Sequence, residues 1–285
     1  MDSHGWRVIY HILREVSRSL PRPGRRPRYS DVLIAAMLIW SAFHDRPMSW
    51  ACRRSSYHGP FRPRRLPSCA QFSRRLRTES VLTLLGKVFE RLAGSDQHTP
   101  VCFLDARPFV VGSCSKDRQA RSGRIYGGFA RGYKLHAIVS EDRRVLCWSV
   151  EPLNVDERVV AETLIAHVQP RGLLLADGNY DSGKRHDQVA ACGGQLLTPV
   201  PTGAGTGHCL QSPARLAGIA GWHWMGGYLY RDRIRIEQCF AHQSTFGGGL
   251  GPLPTWVRTL LRVRRWVGAK LIIYHARMHT RRVAA

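Results

Sequence analysis

Three carboxylates stand apart from the other acids of this chain because of what surrounds them. Asp105 closes the apolar run Val101-Cys102-Phe103-Leu104, and Asp177 closes Leu173-Leu174-Leu175-Ala176 before Gly178-Asn179-Tyr180-Asp181-Ser182. Glu237 ends the arginine-rich segment Tyr230-Arg231-Asp232-Arg233-Ile234-Arg235-Ile236. Short apolar runs read as buried strands, and the last segment reads as helix. Two strands and one helix are able to bring three acids to one point. There they repel one another unless cations sit among them. Hard oxygen ligands suit magnesium. Two such ions about 3.5–4 Å apart can activate an attacking oxygen and stabilise a leaving one. Asp105 is then expected to bridge two ions, Asp177 to hold one and Glu237 the other. The chemistry this predicts is phosphoryl transfer.

The helical segment adds detail. Tyr230, Arg233 and Glu237 are separated by steps of three and four, so at about 100° per residue they share one stripe. Asp232 points roughly 140° away from Glu237, which makes Glu237 the better ligand. Arg233 is expected to face an incoming phosphate, and Tyr230 to hydrogen-bond one of its oxygens. By itself each acid has a plain alternative: a surface Arg–Glu pair for Glu237, a solvated strand end for either Asp. The three together, in this order, carry the reading.

The partner is indicated by charge. The 285 residues hold 43 Lys+Arg against 20 Asp+Glu, a formal net charge of +23. With only Lys87, Lys116, Lys134, Lys184 and Lys270 as lysines, 43 − 5 = 38 of the basic residues are arginine, which grips phosphate through two parallel donors. The excess lies at the flanks: residues 1–100 carry 18 basic and 7 acidic residues, and after Glu237 eight Lys/Arg follow with no acid. A polyanion such as DNA fits that distribution. The longest apolar stretch, Val32 to Trp40, is far short of the ~20 residues that span a bilayer. None of the eight cysteines has C-x-x-C spacing, so no zinc site is expected. No leader segment is legible, and the default setting is a reducing, cytoplasmic one.

The elements that must position these groups fall into two regions. Residues 1–96 read as an all-α, DNA-binding region. Helices are expected over Gly5–Arg18, Asp31–Phe43 with Ser30 as cap, Met48–Tyr57, Ser68–Thr78 and Ser80–Ala93. Arg74 and Arg75, in Cys69–Arg77, are candidate phosphate contacts on a helix of helix-turn-helix type, or members of an ordinary solvated face. Residues 97–285 read as α/β. Strands are expected at Val101–Leu104, Lys134–Val139, Val145–Val150, Gly172–Ala176 and Gln195–Val200, with helices at about Asp156–Val168 and Lys184–Ala191. That order fits a ribonuclease-H-like mixed sheet with flanking helices. An irregular insertion is expected at about 201–229, with Trp222 and Trp224 on a short strand, packed or available to stack on a base. A last helix is expected over Pro254–His279.

Phe103-Leu104-Asp105, Leu175-Ala176-Asp177-Gly178-Asn179-Tyr180-Asp181 and Tyr230-x2-Arg233-x3-Glu237 together resemble the DDE transposases of bacterial insertion sequences. Gly132-Tyr133-Lys134-Leu135-His136 resembles the strand that follows the first Asp in that family. The resemblance spans about residues 100 to 275. It implies a ribonuclease-H-like fold and magnesium or manganese, as two ions. The reaction it implies is cleavage at transposon ends followed by attack of the freed 3′-hydroxyl on target DNA. The implied DNA partners are terminal inverted repeats and target DNA, held by a homodimer or higher synaptic complex. The family's lysine, seven residues after the Glu, falls on Ser244, which carries no charge. Arg258 or Arg262 is the candidate substitute, alongside Lys134 as a phosphate contact. The rival readings are a hydrolysis-only nuclease of the same fold and a decayed, non-catalytic DNA-binding protein.

Overall fold

The computed structural model describes residues 3–21, 27–94, 99–112, 114–200, 212–245 and 249–284. Its contacts divide the chain into two compact units, Met1–Ser95 with His242–Ala285, and Asp96–Ala241. Within the first unit the last helix packs with the N-terminal helices.

The helical unit contains α1 (Ser3–Ser19), α2 (Asp31–Phe43), α3 (Met48–Ala51), α4 (Cys69–Arg75) and α5 (Glu79–Ala93). Ser30 caps α2 by accepting from the Leu33 amide at 3.2 Å, and Ser68 with Gln71 forms a capping box on α4. The helix expected over Met48–Tyr57 breaks into α3 and a 3-10 turn, Arg54–Ser56. α2 is buried almost all round, from Ile34 to Ala42, with α1, α5 and the last helix against it. On α1 the buried positions Trp6, Ile9, Leu13 and Val16 follow helical spacing. Trp6 meets both Trp40 and Phe61 at 4.8 Å between ring centroids. The Trp40 indole donates to the Ser56 carbonyl at 3.0 Å, so the buried N–H is satisfied.

The sheet unit has six strands: β1 (Val101–Val110), β2 (Arg121–Ile125), β3 (Gly128–Ser140), β4 (Val145–Pro152), β5 (Leu173–Leu175) and β6 (Gln195–Leu197). The order is β2-β3-β1-β5-β6, with β4 also on β3. β1 runs antiparallel to β3 and parallel to β5, the mixed ribonuclease-H-like arrangement. The helices α6 (Glu157–Val168) and α7 (Gly183–Ala191) follow β4 and β5. Between the sheet and these helices Cys102, Leu104 and Ile138 pack with Val160, Leu164, Ile165 and Val189.

Two differences from expectation matter. β1 does not end at Asp105 but continues to Val110, so the acid sits in mid-strand. β2 was not expected; it forms a hairpin with β3 through Tyr126–Gly127, where Gly127 has a φ of +85° that a side chain rarely tolerates. Gly132 allows a close approach as well, because a Cβ there would lie 2.0 Å from the Phe109 carbonyl oxygen.

After β6, residues 201–211, which include the glycine-rich stretch Gly203–Gly207, lie outside the described residues. The expected short strand at Trp222–Trp224 is helix instead: α8 (Pro213–Gly221), a π turn (Trp222–Gly226) and α9 (Gly227–Leu229). A 3-10 turn, Tyr230–Arg233, leads into α10 (Ile234–Thr245), and α11 (Leu260–Ala284) closes the chain.

Candidate active site

The parallel register of β1 and β5 sets the site. Phe103 is level with Leu175, and Asp105 and Asp177 each follow two residues further on, close enough for the Asp177 charge to act on Asp105. Asp177 leaves its strand and caps the 3-10 turn Gly178–Tyr180, taking the Asn179 amide at 2.9 Å on Oδ1. Its Oδ2 accepts from the Asn179 side chain at 3.3 Å. On Asp105, Oδ1 accepts the Ala106 amide at 2.8 Å and Oδ2 accepts Arg233 Nη2 at 2.8 Å.

Arg233 is itself held. Its Nη1 donates to the Tyr230 hydroxyl at 2.9 Å, and the Tyr230 ring meets the Trp222 ring edge-on at 5.2 Å. Tyr230 and Arg233 thus meet as their spacing suggests, and the guanidinium stands against Asp105. Glu237 lies four residues on, about 6 Å further along the helix axis. It is exposed, and among the described residues no hydrogen bond or ion pair holds it. Arg233 reaches Asp105 because its side chain is long; Glu237 has a shorter reach from a position one turn away. The structure thus brings together Asp105, Asp177 and Arg233 and leaves Glu237 outside the group. Among the described residues no three of His, Cys, Asp and Glu are gathered closely enough to hold an ion.

The electrostatics work against ionising both acids at once. Burial pushes the Asp105 carboxyl upward, the Arg233 guanidinium and Ala106 amide pull it down, and Asp177 adds repulsion; the net direction is up. Asp177 is also pushed up, first by burial and then by Glu157, against the Asn179 amide and Arg233. Burial works against the Arg233 charge, but Asp105, Tyr230 and Asp177 outweigh it and hold its pKa above the ordinary value. Two carboxylates whose charge is under-compensated present the hard oxygen donors that a magnesium-sized ion takes in ones and twos, with water filling the rest. Asp105 and Asp177 fit such an ion. The buried Arg233 Nε has no partner, so the guanidinium is incompletely satisfied where it stands.

The remaining candidate contacts are scattered. Lys134 is buried and ion-paired to Glu157, so it is not open to a phosphate. Arg75 is spent on Asp31 and on the Tyr29 carbonyl at 3.3 Å, whereas Arg74 is exposed. Arg258 and Arg262 are exposed, but they belong to the helical unit. Arg258 precedes α11, which begins six residues later than Pro254, at Leu260. Ser244, at the lysine position, donates to the Leu250 carbonyl at 3.2 Å.

Two groups near the site were not read from the sequence. Glu157, at the first turn of α6, lies close enough to raise the pKa of Asp177, and Tyr180 is fully buried with its ionisation suppressed by burial and by Glu157, Asp105 and Asp177. Tyr180 sits inside the motif after Asp177, which was a usable signal. Glu157 had none beyond its place after the helix cap Asp156.

Comparison with curated proteins and with solved structures finds no match. The family described as the transposase DDE domain matches residues 96–274, a span that takes in Asp105, Asp177, Arg233 and Glu237. A match over more than half of the chain, on a mixed sheet with two aspartates close to one another, makes this protein a member of the transposase DDE domain family.

Proposed function

We propose that the protein cuts DNA at transposon ends in a metal-dependent step and joins the freed 3′-hydroxyl to target DNA, with Asp105, Asp177 and Glu237 as its acids. The family supports a transposase that cleaves DNA. The observation that carries the finer reading is the pair of neighbouring aspartates with Arg233 against Asp105. Magnesium or manganese, when bound, would supply positive charge at the attacking and leaving oxygens.

Each side chain has a defined task in this reading. Asp105 and Asp177 would hold the ions, and the Ala106 and Asn179 amides keep one oxygen of each carboxylate in place. Arg233 balances the aspartates until charge is supplied from elsewhere. Its release from Asp105 would free Oδ2 and turn the guanidinium towards a phosphate oxygen, where its two parallel donors are best used. Glu237, four residues after Arg233, would join the aspartates through a shift of α10 that carries it towards them as Arg233 moves away. A homodimer in the synaptic complex belongs to the same proposal.

The test is cleavage and joining of terminal-repeat DNA by wild type and Asp105→Asn. The variant is expected to bind DNA and not cut it; cutting at the wild-type rate would refute the assignment. Pre-cut ends separate the rival, because a hydrolysis-only nuclease would not join them to a target.

A further inference from the structure

One cavity is lined by residues of the helical unit alone. It is an open groove of about 1280 Å³ within the helical unit, between α1 and the segment Pro60–Arg65. We propose that this groove is a DNA-backbone site, and that it, rather than α4, supplies the main phosphate grip of the helical unit. The proposal names a DNA contact for the function proposed above and rests on that reading for the identity of the polyanion.

One wall is a face of α1. Taking Arg7 as zero, Arg14 falls at about 340° and Arg18 at about 20°, so the three guanidinium groups form one row. All three are exposed, while the opposite face of the helix is core. The row spans 11 residues, about 16 Å of helix axis, which matches roughly five nucleotides of one strand at about 3.4 Å each. The other wall carries the exposed Arg62, Arg64 and Arg65. Pro60 and Pro63 fix the backbone dihedrals of that wall, so its arginines are presented at low entropic cost. Phe61 is buried under it against Trp6 and, at 6.1 Å, Tyr10, which makes the floor aromatic and firm.

The charge balance of the groove is one-sided. Seven arginines line it, counting Arg28, against a single acid, Glu15. Glu15 is already engaged by Arg91 at 3.3 Å and by His11 at 3.8 Å. None of Arg7, Arg14, Arg18, Arg62 and Arg65 has a recorded carboxylate partner. Two facing rows of cations lower the stability of the empty groove by mutual repulsion, and a linear polyanion lying between them removes that cost. The concave form favours a nucleic-acid strand over an acidic membrane, whose surface is broad and cannot reach both walls. α4 offers less: Arg75 is tied to Asp31, and only Arg74 and Arg77 remain exposed there.

The experiment measures binding of the full chain to a duplex containing the transposon end, across a range of salt concentrations. The proteins are wild type, the triple variant Arg7→Gln/Arg14→Gln/Arg18→Gln, and Arg62→Gln/Arg65→Gln on the other wall. Each lost phosphate contact should flatten the slope of log affinity against log salt by about one. Affinity near physiological salt should fall roughly tenfold or more for the triple variant. All five side chains are exposed, so both variants should unfold at the wild-type temperature; if one does not, the other decides. Unchanged slopes in both variants would overturn the proposal. So would a loss of binding to phosphatidylserine vesicles with DNA binding intact. Failure of the catalytic reading looks different: groove variants would still lose DNA, while wild type would bind transposon ends and never cut them.

Discussion

Arginines around the aspartates and arginines along α1 are used in different ways. Several in the sheet unit are held by acids and carbonyls of the fold. Arg233 bonds Asp105, Arg215 bonds Asp181 at 2.7 Å and Arg185 bonds Glu162 at 3.0 Å. Arg107 donates to the Phe240 carbonyl at 2.9 Å. In the helical unit Arg7, Arg14 and Arg18 stand in a row with no acid opposite. A net charge of +23 is thus not one property. Part of it organises acids inside the fold, and part is left over for a ligand. Burial separates the two: a buried guanidinium without a partner costs several kcal/mol, while an exposed one costs almost nothing.

The contrast can be broken in several places. The largest effect is expected at the site, where Asp105→Asn should lower end cleavage by roughly 10³-fold or more, on the order of 4 kcal/mol of transition-state stabilisation. A single-turnover cleavage assay reads this directly, and a loss under tenfold would show that Asp105 does not touch the reaction.

Next is Asp181→Asn, which takes the carboxylate from the buried His186 and weakens its pairing with Arg215. Removing one member of a buried pair costs about 3–5 kcal/mol. Denaturant unfolding should show it, and a cost as small as that of a surface charge would erase the distinction between the two sets of arginines.

A pH series comes third. Burial pushes the His136 imidazole down to about 4 from an ordinary 6.5, and neither ring nitrogen has a partner. Below pH 6.5 the unfolded chain takes up a proton that the folded chain refuses. Stability is therefore complete above that pH and falls as pH drops towards 4, by up to about 3 kcal/mol from this group. His136→Leu should flatten most of the decline in thermal unfolding between pH 7 and 5, with His186 and His44, whose pKa values are also lowered by burial, contributing to the remainder.

The smallest effect belongs to the groove. Replacing Arg7, Arg14 and Arg18 by glutamine should shift stability by no more than about 0.5 kcal/mol per position, since surface charges carry little folding energy. A large destabilisation would mean these arginines serve the fold after all.

What the chain determined unaided is local and periodic. The caps at Ser30 and Ser68, the buried stripe of α1, the apolar strands before Asp105 and Asp177, and the pairing of Tyr230 with Arg233 all follow from spacing and short-range sterics. β2 was illegible because Arg121-Ser122-Gly123-Arg124-Ile125 has no alternation of apolar residues; only Gly123 is buried, and pairing with β3 makes it a strand. Lys134 and Arg75 were read as candidate phosphate contacts, because nothing local announces Glu157 or Asp31 across 23 and 44 residues. The home of α11 was decided the same way: its apolar face accepts any matching surface, and the N-terminal helices supplied it. The site divides along this line too. Sequence picked out the acids by their neighbours, but tertiary structure alone decided that Arg233, with its longer reach, sits against Asp105 while Glu237 stays in solvent. Side-chain length and strand register act through space, and no run of neighbouring residues encodes them.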